Sequence, residues 1–373
     1  MLKDIKISKS AKTALIIGVI ILIIAGAVGF IAYSSLFAAP QGHAEIEQFT
    51  VPLSVDRNGG ILIDFTLAGS LKEKGFIKSE WGFKRVLGKN EIQPGAYEVS
   101  KDMNVWQLVE VLTNEPYMKW VVIPEGPRKE QIAELLADTF GWSDQQKEDW
   151  VNKYTVMEYD YIEGVYFPDT YLIPKDETPL QIADRLRAKF NEKFAPYAER
   201  FLKENIKWTT ALKLASIIQR EAAGKEDMPL IAGILWNRLL DGMKLDIDAT
   251  IQYARDTQKH YVNDPCENTE YREKHSDYCF NPEVLQPTTT YVSEGGWWGP
   301  IAVADKKIDS KYNTYLYAGL PPHPICNPGL DAIEAVLNPI ETNCFYYLHD
   351  RNREIHCAET YEKHLENIDN YLK

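Results

Sequence analysis

The sequence predicts an α+β protein carried behind a single N-terminal transmembrane helix. Three observations predict it. An uncharged run, TALIIGVIILIIAGAVGFIAY, fills residues 13–33. Behind it, short runs rich in Val, Ile, Thr and Tyr alternate with longer segments whose apolar residues recur at helical spacing. No internal repeat or low-complexity tract breaks that mixture, so solenoid and disordered classes are excluded.

The first element is the apolar run. Its 21 residues, at roughly 1.5 Å each, span about 31 Å, enough for a bilayer's hydrocarbon core. Lys3, Lys6, Lys9 and Lys12 precede it, so the positive-inside rule makes residues 1–12 a cytoplasmic tail and leaves the rest outside, in the cell membrane by one pass. A cleaved signal peptide is the competing reading, because FAAP at 37–40 loosely resembles a cleavage site. Signal h-regions, however, usually span only ~7–15 residues. Residues 34–45 read as a linker. Residues 46–114 form a small mixed module, with a β-rich start (FTVPLSV), helical spacing in FTLAGSLKEKGFIKSEWGFKRVL, a strand-like GAYEVS and the helical NVWQLVEVLT. A module that grips something and a plain spacer both fit.

Residues 115–373 make the larger mixed domain. YMKWVVIPEG opens it as a strand, and PRKEQIAELLADTF follows as an amphipathic helix with Pro127 in its first turn. EGVYFPDTYLIP (163–174), aromatic and proline-bearing, reads as a rigid loop lining a cleft, though packing alone would also explain it. One helix is expected from about Pro179 to Lys193 and another from Ala195. Next come the helix ending near Ala222 and its partner PLIAGILWNRLLDGM, with Pro229 near its start. Residues 256–300 are polar and rich in Pro and Asn, an inserted loop or lobe. There Trp297 and Trp298 offer either a stacking surface for a sugar or an ordinary packing contact.

Charge narrows the partners. The chain holds 41 Lys and Arg against 54 Asp and Glu, a formal −13. Four of the lysines lie before the apolar run, so the remainder is more acidic still. Such a domain suits neither nucleic acid nor an anionic lipid surface. The five cysteines, Cys266, Cys279, Cys326, Cys344 and Cys357, all lie in the last third, outside the membrane, where disulfides can form. Pairing Cys344 with Cys357 would staple a hairpin, pairing Cys266 with Cys279 would close a polar loop, and the odd count leaves one thiol over. His323, His349 and His356 lie near them, but no C-x-x-C or H-E-x-x-H spacing occurs. No metal and no cofactor is expected.

The stretch LASIIQREA (214–222) carries the chemistry. At about 100° per residue, Ala211, Leu214, Ala215, Ile217, Ile218 and Ala222 gather on one arc, with Leu212 off it. Lys213, Ser216, Gln219 and Arg220 take the other side. Glu221 falls with the apolar set. A carboxyl held against an apolar wall keeps its proton to higher pH and can donate it to a breaking glycosidic bond. Alternatively the helix simply ends there, and Glu221 meets solvent or a cation such as Arg238. A hydrolase would need a second carboxylate, for which Glu163, Asp169, Asp246 and Asp248 are available. A route without water also exists: the sugar's own 6-hydroxyl attacks its anomeric carbon, and one residue serves as acid and then base.

Six collinear blocks resemble a known family, the endolytic murein (peptidoglycan) transglycosylases, called MltG or YceG-like. They are IPEGPRKEQIAELLA, EGVYFPDTY, LASIIQREA, IAGILWNRL, YNTYLYAGLPPHPICNPGLDAIEAVLNP and TYEKH. The resemblance implies that Glu221 is the catalytic glutamate. It implies that Glu163, Asp248, Tyr312, Asn313, Tyr315 and Asn327 line the glycan cleft, though Asn327 could equally hold a turn and Tyr312 and Tyr315 could be core residues. It further implies a LysM-like module over 46–114 and a transglycosylase domain over 115–373. The substrate implied is nascent peptidoglycan glycan strands, cut internally to leave 1,6-anhydro-N-acetylmuramic ends, with cell-wall synthases as possible partners. The chain departs from the family pattern at Asp246 and Ala249, where Gln and Pro are expected, at His323, and in the length of 256–300. A muramidase-type hydrolase and a non-catalytic glycan-binding scaffold are the alternatives.

Overall fold

The apolar run forms helix α1 (Lys9–Leu36), of which Thr13–Leu36 is long and apolar enough to cross a membrane. In the computed structural model, residues 9–53, 67–155, 163–262, 290–291 and 296–373 are described. Lys3, Lys6, Cys266, Cys279 and most of the expected lobe lie outside these, and with them the predicted Cys266–Cys279 pairing. The fold is mixed α+β, in two compact units: Met1–Trp120 with Leu172–Lys175, and Val121–Tyr171 with Asp176–Lys373.

The first unit continues from α1 with strand β1 (Ile46–Val51), helices α2 (Leu67–Glu73) and α3 (Glu80–Leu87), strand β2 (Gly95–Ser100) and helix α4 (Val105–Thr113). Strand β3 (Met118–Val122) and, later in the chain, β4 (Thr170–Pro174) complete a sheet of order β1-β2-β3-β4. β1 and β2 run antiparallel with Phe49 opposite Tyr97. Phe49, Tyr97 and Val99 bury one face of that pair against Leu71, Phe83 and Leu108 from the three helices. Asn104 and Gln107 form a reciprocal capping box that starts α4.

The second unit is mostly helical. Helix α5 (Lys129–Phe140) leads to α6 (Asp144–Asp149), a π-helical turn (Trp150–Tyr154) and then α7 (Pro179–Lys203), α8 (Trp208–Glu221), α9 (Met228–Leu240) and α10 (Asp248–His260). Two-residue strands β5 (Tyr261–Val262) and β6 (Thr290–Tyr291) pair antiparallel. A 3-10 turn (Asp305–Lys307), α11 (Leu330–Leu337), strands β7 (Tyr346–His349) and β8 (Ile355–Ala358), and α12 (Tyr361–Tyr371) complete it.

Five details differ from the sequence expectation, the first being that Thr170–Pro174, within the stretch read as a loop, is strand β4. Pro196 does not divide α7, which runs unbroken to Lys203. Phe190, Phe194 and Phe201 stack along it at 5.0 and 6.0 Å, and that buried ladder holds the helix past its proline. Pro127 stays outside the first turn of α5, since its carbonyl accepts from both the backbone and the side-chain nitrogen of Asn327. The segment beginning at 256 is helical as far as His260, because Asp256 and His260 are buried. Finally, α8 is not amphipathic in its setting. Leu212 and Ser216, off the apolar arc, are as buried as Leu214 and Ile218. The helix is central, packed against α7, α9, α10 and α11, and Ser216 Oγ accepts from the Ile325 N–H at 3.0 Å.

Gly233 in α9 explains its own identity. A Cβ there would stand 2.1 Å from the Ile340 carbonyl oxygen. Gly233→Ala is expected to cost roughly 1–3 kcal/mol, read as a lower thermal unfolding midpoint. An unchanged midpoint would mean that the close approach is not a constraint.

Candidate active site

Glu221 ends α8, with Ala222 as its C-cap in an extended conformation. The chain therefore leaves the core immediately after a buried helix, and the carboxyl stands half-buried at its edge. It opens on a cavity of about 510 Å³ whose walls include Arg238, Asp246, Asp248, Lys306, Tyr315, Tyr347, His349, Tyr361 and His364. Tyr347 donates its hydroxyl to Glu221 Oε2 at 2.8 Å. The Ala249 N–H, in the first turn of α10, also donates to the carboxyl. Burial pushes the Glu221 pKa up, and Asp248 adds to the rise, while the Tyr347 and Ala249 donors and His349 oppose it. Arg238 does not pair with Glu221. Its guanidinium donates to the carbonyls of Phe345 and Leu245.

Across the cavity, Tyr315 donates to Asp248 Oδ1 at 2.7 Å, and Lys306 Nζ bonds the Tyr315 hydroxyl at 3.0 Å and lies 4.1 Å over its ring. Burial and the Asp248 carboxylate raise the Tyr315 pKa. Asn313, fully buried, organises this wall. Its Nδ2 donates to the carbonyls of Lys306 and Ile308, and its Oδ1 accepts from the Tyr315 N–H at 3.0 Å. Asp246 sits at φ 51, a left-handed conformation that Asp tolerates better than most side chains. Its neighbour Ile247 is held by the Thr314 hydroxyl at 3.0 Å.

Glu163, Asn327 and Tyr312 lie elsewhere. Glu163 is fully buried, accepting from the Lys129 N–H at 3.1 Å and from Asn327 Nδ2 at 2.7 Å. Asn327 Oδ1 accepts from the Tyr166 N–H at 2.8 Å, and its carbonyl accepts from the Gly126 N–H. Together they tie IPEGP, EGVYF and NPG into one joint. Tyr312 packs its ring 4.6 Å from that of Tyr253, which itself lies under the Arg128 guanidinium. Arg220 faces this side of α8, within hydrogen-bond reach of the Gly126 carbonyl and over Trp298. Thus Arg220 faces the joint and Glu221 faces the cavity. The indoles of Trp297 and Trp298 donate to Glu134 and Gln131, a packing arrangement.

Sequence reasoning missed Tyr347 and Lys306. Tyr347 belongs to the β7–β8 hairpin, which the Cys344–Cys357 disulfide closes as the sequence suggested; Cys326 is free and buried. Asp350, Glu354 and His356 approach one another within 4.8 Å at the hairpin's turn. Asp350 Oδ1, however, accepts the N–H groups of Asn352 and Glu354, and Oδ2 bonds His356, so these groups serve the turn.

The YceG-like family model matches residues 65–370, most of the chain. The chain belongs to the YceG-like family. It is 27% identical over 331 residues to a Bacillus subtilis protein named endolytic murein transglycosylase, covering 82% of this chain and 81% of that one. It is 25% identical over 337 residues to a Streptococcus pneumoniae protein of the same name, spanning 80% of this chain but only 55% of the pneumococcal one. The crystal structure of a YceG-like protein from Listeria monocytogenes superposes with a TM-score of 0.53 at 22% identity, over 87% of this chain and 99% of that one, a likeness of fold. All six sequence blocks of this YceG-like chain fall within or against these matched regions.

Burial and the neighbouring Glu130 raise the Glu163 pKa from 4.5 to about 8. The folded state then holds a proton that the unfolded state releases, so stability from this group is full below about pH 4.5 and is lost as pH rises to about 8. Glu163→Gln is expected to flatten that decline. Thermal midpoints of both proteins across this pH window would show it, and parallel curves would contradict it.

Proposed function

We propose that this chain is a membrane-anchored endolytic peptidoglycan lytic transglycosylase with Glu221 as acid and then base. The observation that carries the reading is a single carboxyl at the end of a buried helix, desolvated toward its protonated form and facing a polar, tyrosine-lined cavity. Family membership and the names of the relatives supply the substrate class.

The protonated Glu221 donates to the glycosidic oxygen between N-acetylmuramic acid and N-acetylglucosamine as the C1–O bond breaks. The resulting carboxylate, which the Tyr347 hydroxyl and the Ala249 N–H are placed to stabilise, takes the proton of the muramic 6-hydroxyl. That oxygen closes on C1, giving a 1,6-anhydro end and consuming no water. The tethered nucleophile replaces a bound one. Asp248 and Tyr315 bind substrate hydroxyls from the opposite wall. Asn313 shapes that wall, and Glu163, Asn327 and Tyr312 brace the scaffold behind α8.

The wider organisation follows the same reading. Residues 1–12 stay in the cytoplasm, 13–33 span the membrane, 34–45 link, 46–114 form a LysM-like glycan-binding module, and 115–373 form the catalytic domain with 256–300 inserted. The small strand–helix unit, with its sheet and three helices, has a size that suits such a module. Cell-wall synthases are the partners expected beside the membrane.

A hydrolytic reading keeps one support: Asp248 shares the cavity with Glu221. Mass spectrometry of peptidoglycan digested by the full chain separates the two, since transglycosylase products are one water lighter than hydrolytic ones. Glu221→Gln is expected to lower cleavage by roughly 10²–10⁴-fold, with folding retained. Wild-type rates in that variant would sink the assignment. Asp248→Asn is expected to weaken cleavage through substrate binding while still yielding anhydro ends. Because the acid must start protonated, kcat/KM is expected to fall as pH rises through the raised Glu221 pKa.

A further inference from the structure

Tyr347 reaches Glu221 from 126 positions away in sequence, and the hairpin that carries it is fastened on three sides. In the β7–β8 register Tyr347 lies directly opposite Cys357, and Cys357 is bonded to Cys344, just before β7. On α9, Asn237 Nδ2 donates to the carbonyls of Thr342 and Cys344, at 2.7 and 3.1 Å. The next residue, Arg238, donates to the carbonyl of Phe345. The strand residues flanking Tyr347 are therefore fixed to the disulfide and to α9, and its phenol is left little freedom in where it points.

Several other groups line the cavity onto which Glu221 opens. Asp248 and the Ala249 N–H come from α10, and Asp246 from the turn before it. Arg238 comes from α9, Lys306 and Tyr315 from the opposite wall, His349 from β7, and Tyr361 and His364 from α12. Lys306 is spent on Tyr315 and Asp248, and His349 on Asp227. Among the described side chains, it is Tyr347 that hydrogen-bonds the carboxyl itself, at 2.8 Å.

Resting on the reading that Glu221 is the acid, we propose that Tyr347 is a positioning residue for the reaction. Its hydroxyl, held by the disulfide-closed hairpin, fixes the rotation of the carboxyl. It engages Oε2 and leaves Oε1 to carry the proton to the glycosidic oxygen. When the proton has been delivered, the same hydroxyl stabilises the carboxylate that must next act as base. A donor of this kind favours the charged form, so the hydroxyl also sets how far burial can raise the acid.

The test is Tyr347→Phe in the full chain, in detergent micelles, which keeps the ring and removes only the hydroxyl. A soluble glycan strand serves as substrate. kcat is expected to fall roughly tenfold, the worth of a hydrogen bond to a charged group. The alkaline limb of kcat/KM is expected to move to higher pH, because losing a donor to the carboxylate raises the acid's pKa further. An infrared titration reads the same contact without catalysis. The protonated-carboxyl band that Glu221→Gln removes is expected to persist to higher pH in Tyr347→Phe. A thermal midpoint near that of the wild type confirms folding. If the band and the limb stay where the wild type has them, the positioning role is overturned, whether or not kcat falls. If Glu221→Gln cleaves at the wild-type rate, the acid assignment fails instead, and the infrared titration still reports the contact.

Discussion

The desolvated carboxyl at the end of α8 is the constraint around which the second unit is arranged. α8 is buried along its middle from Ala211 to Ile218, and at the C-terminal end where it emerges the last side chain is an acid. Burial alone would favour a permanently neutral Glu221. Two donors, the Tyr347 hydroxyl and the Ala249 N–H, oppose it by favouring the charged form. The acid-then-base role proposed for Glu221 calls for that compromise.

The flanks of α8 are built by buried amides. On the side of Arg220, Asn327 bonds Pro127, Tyr166 and Glu163, joining three segments far apart in the chain. On the cavity side, Asn313 shapes the loop that presents Lys306 and Tyr315. A buried polar group left without partners costs more than its hydrogen bonds return, so each amide tolerates one local arrangement.

Much of the framework was legible in the residues. The apolar arc of LASIIQREA exposed Glu221 as an acid out of place, the two cysteines of CFYYLHDRNREIHC anticipated the hairpin, and the apolar run anticipated α1. Where periodicity misled, tertiary packing had overridden a local pattern. Pro196 reads as a break, but a ladder of buried rings keeps α7 continuous; Ser216 reads as solvent-facing, but the chain around Ile325 covers it. The grouping of candidate residues divided as well. Asp248 and Tyr315 share the cavity with Glu221, while Glu163, Asn327 and Tyr312 belong to the scaffold behind it.

By itself, then, the sequence determined the α+β class, the span-length apolar helix and the identity of the misplaced acid, because these follow from composition and from spacing within one segment. Only the tertiary structure decided what the acid faces. Tyr347, Ala249 and the Asn313 wall come from different elements, and their convergence on Glu221 depends on helix packing and a disulfide-closed hairpin. No one-dimensional pattern records that convergence, since contacts across a cavity leave no periodic trace in any strand or helix that makes them.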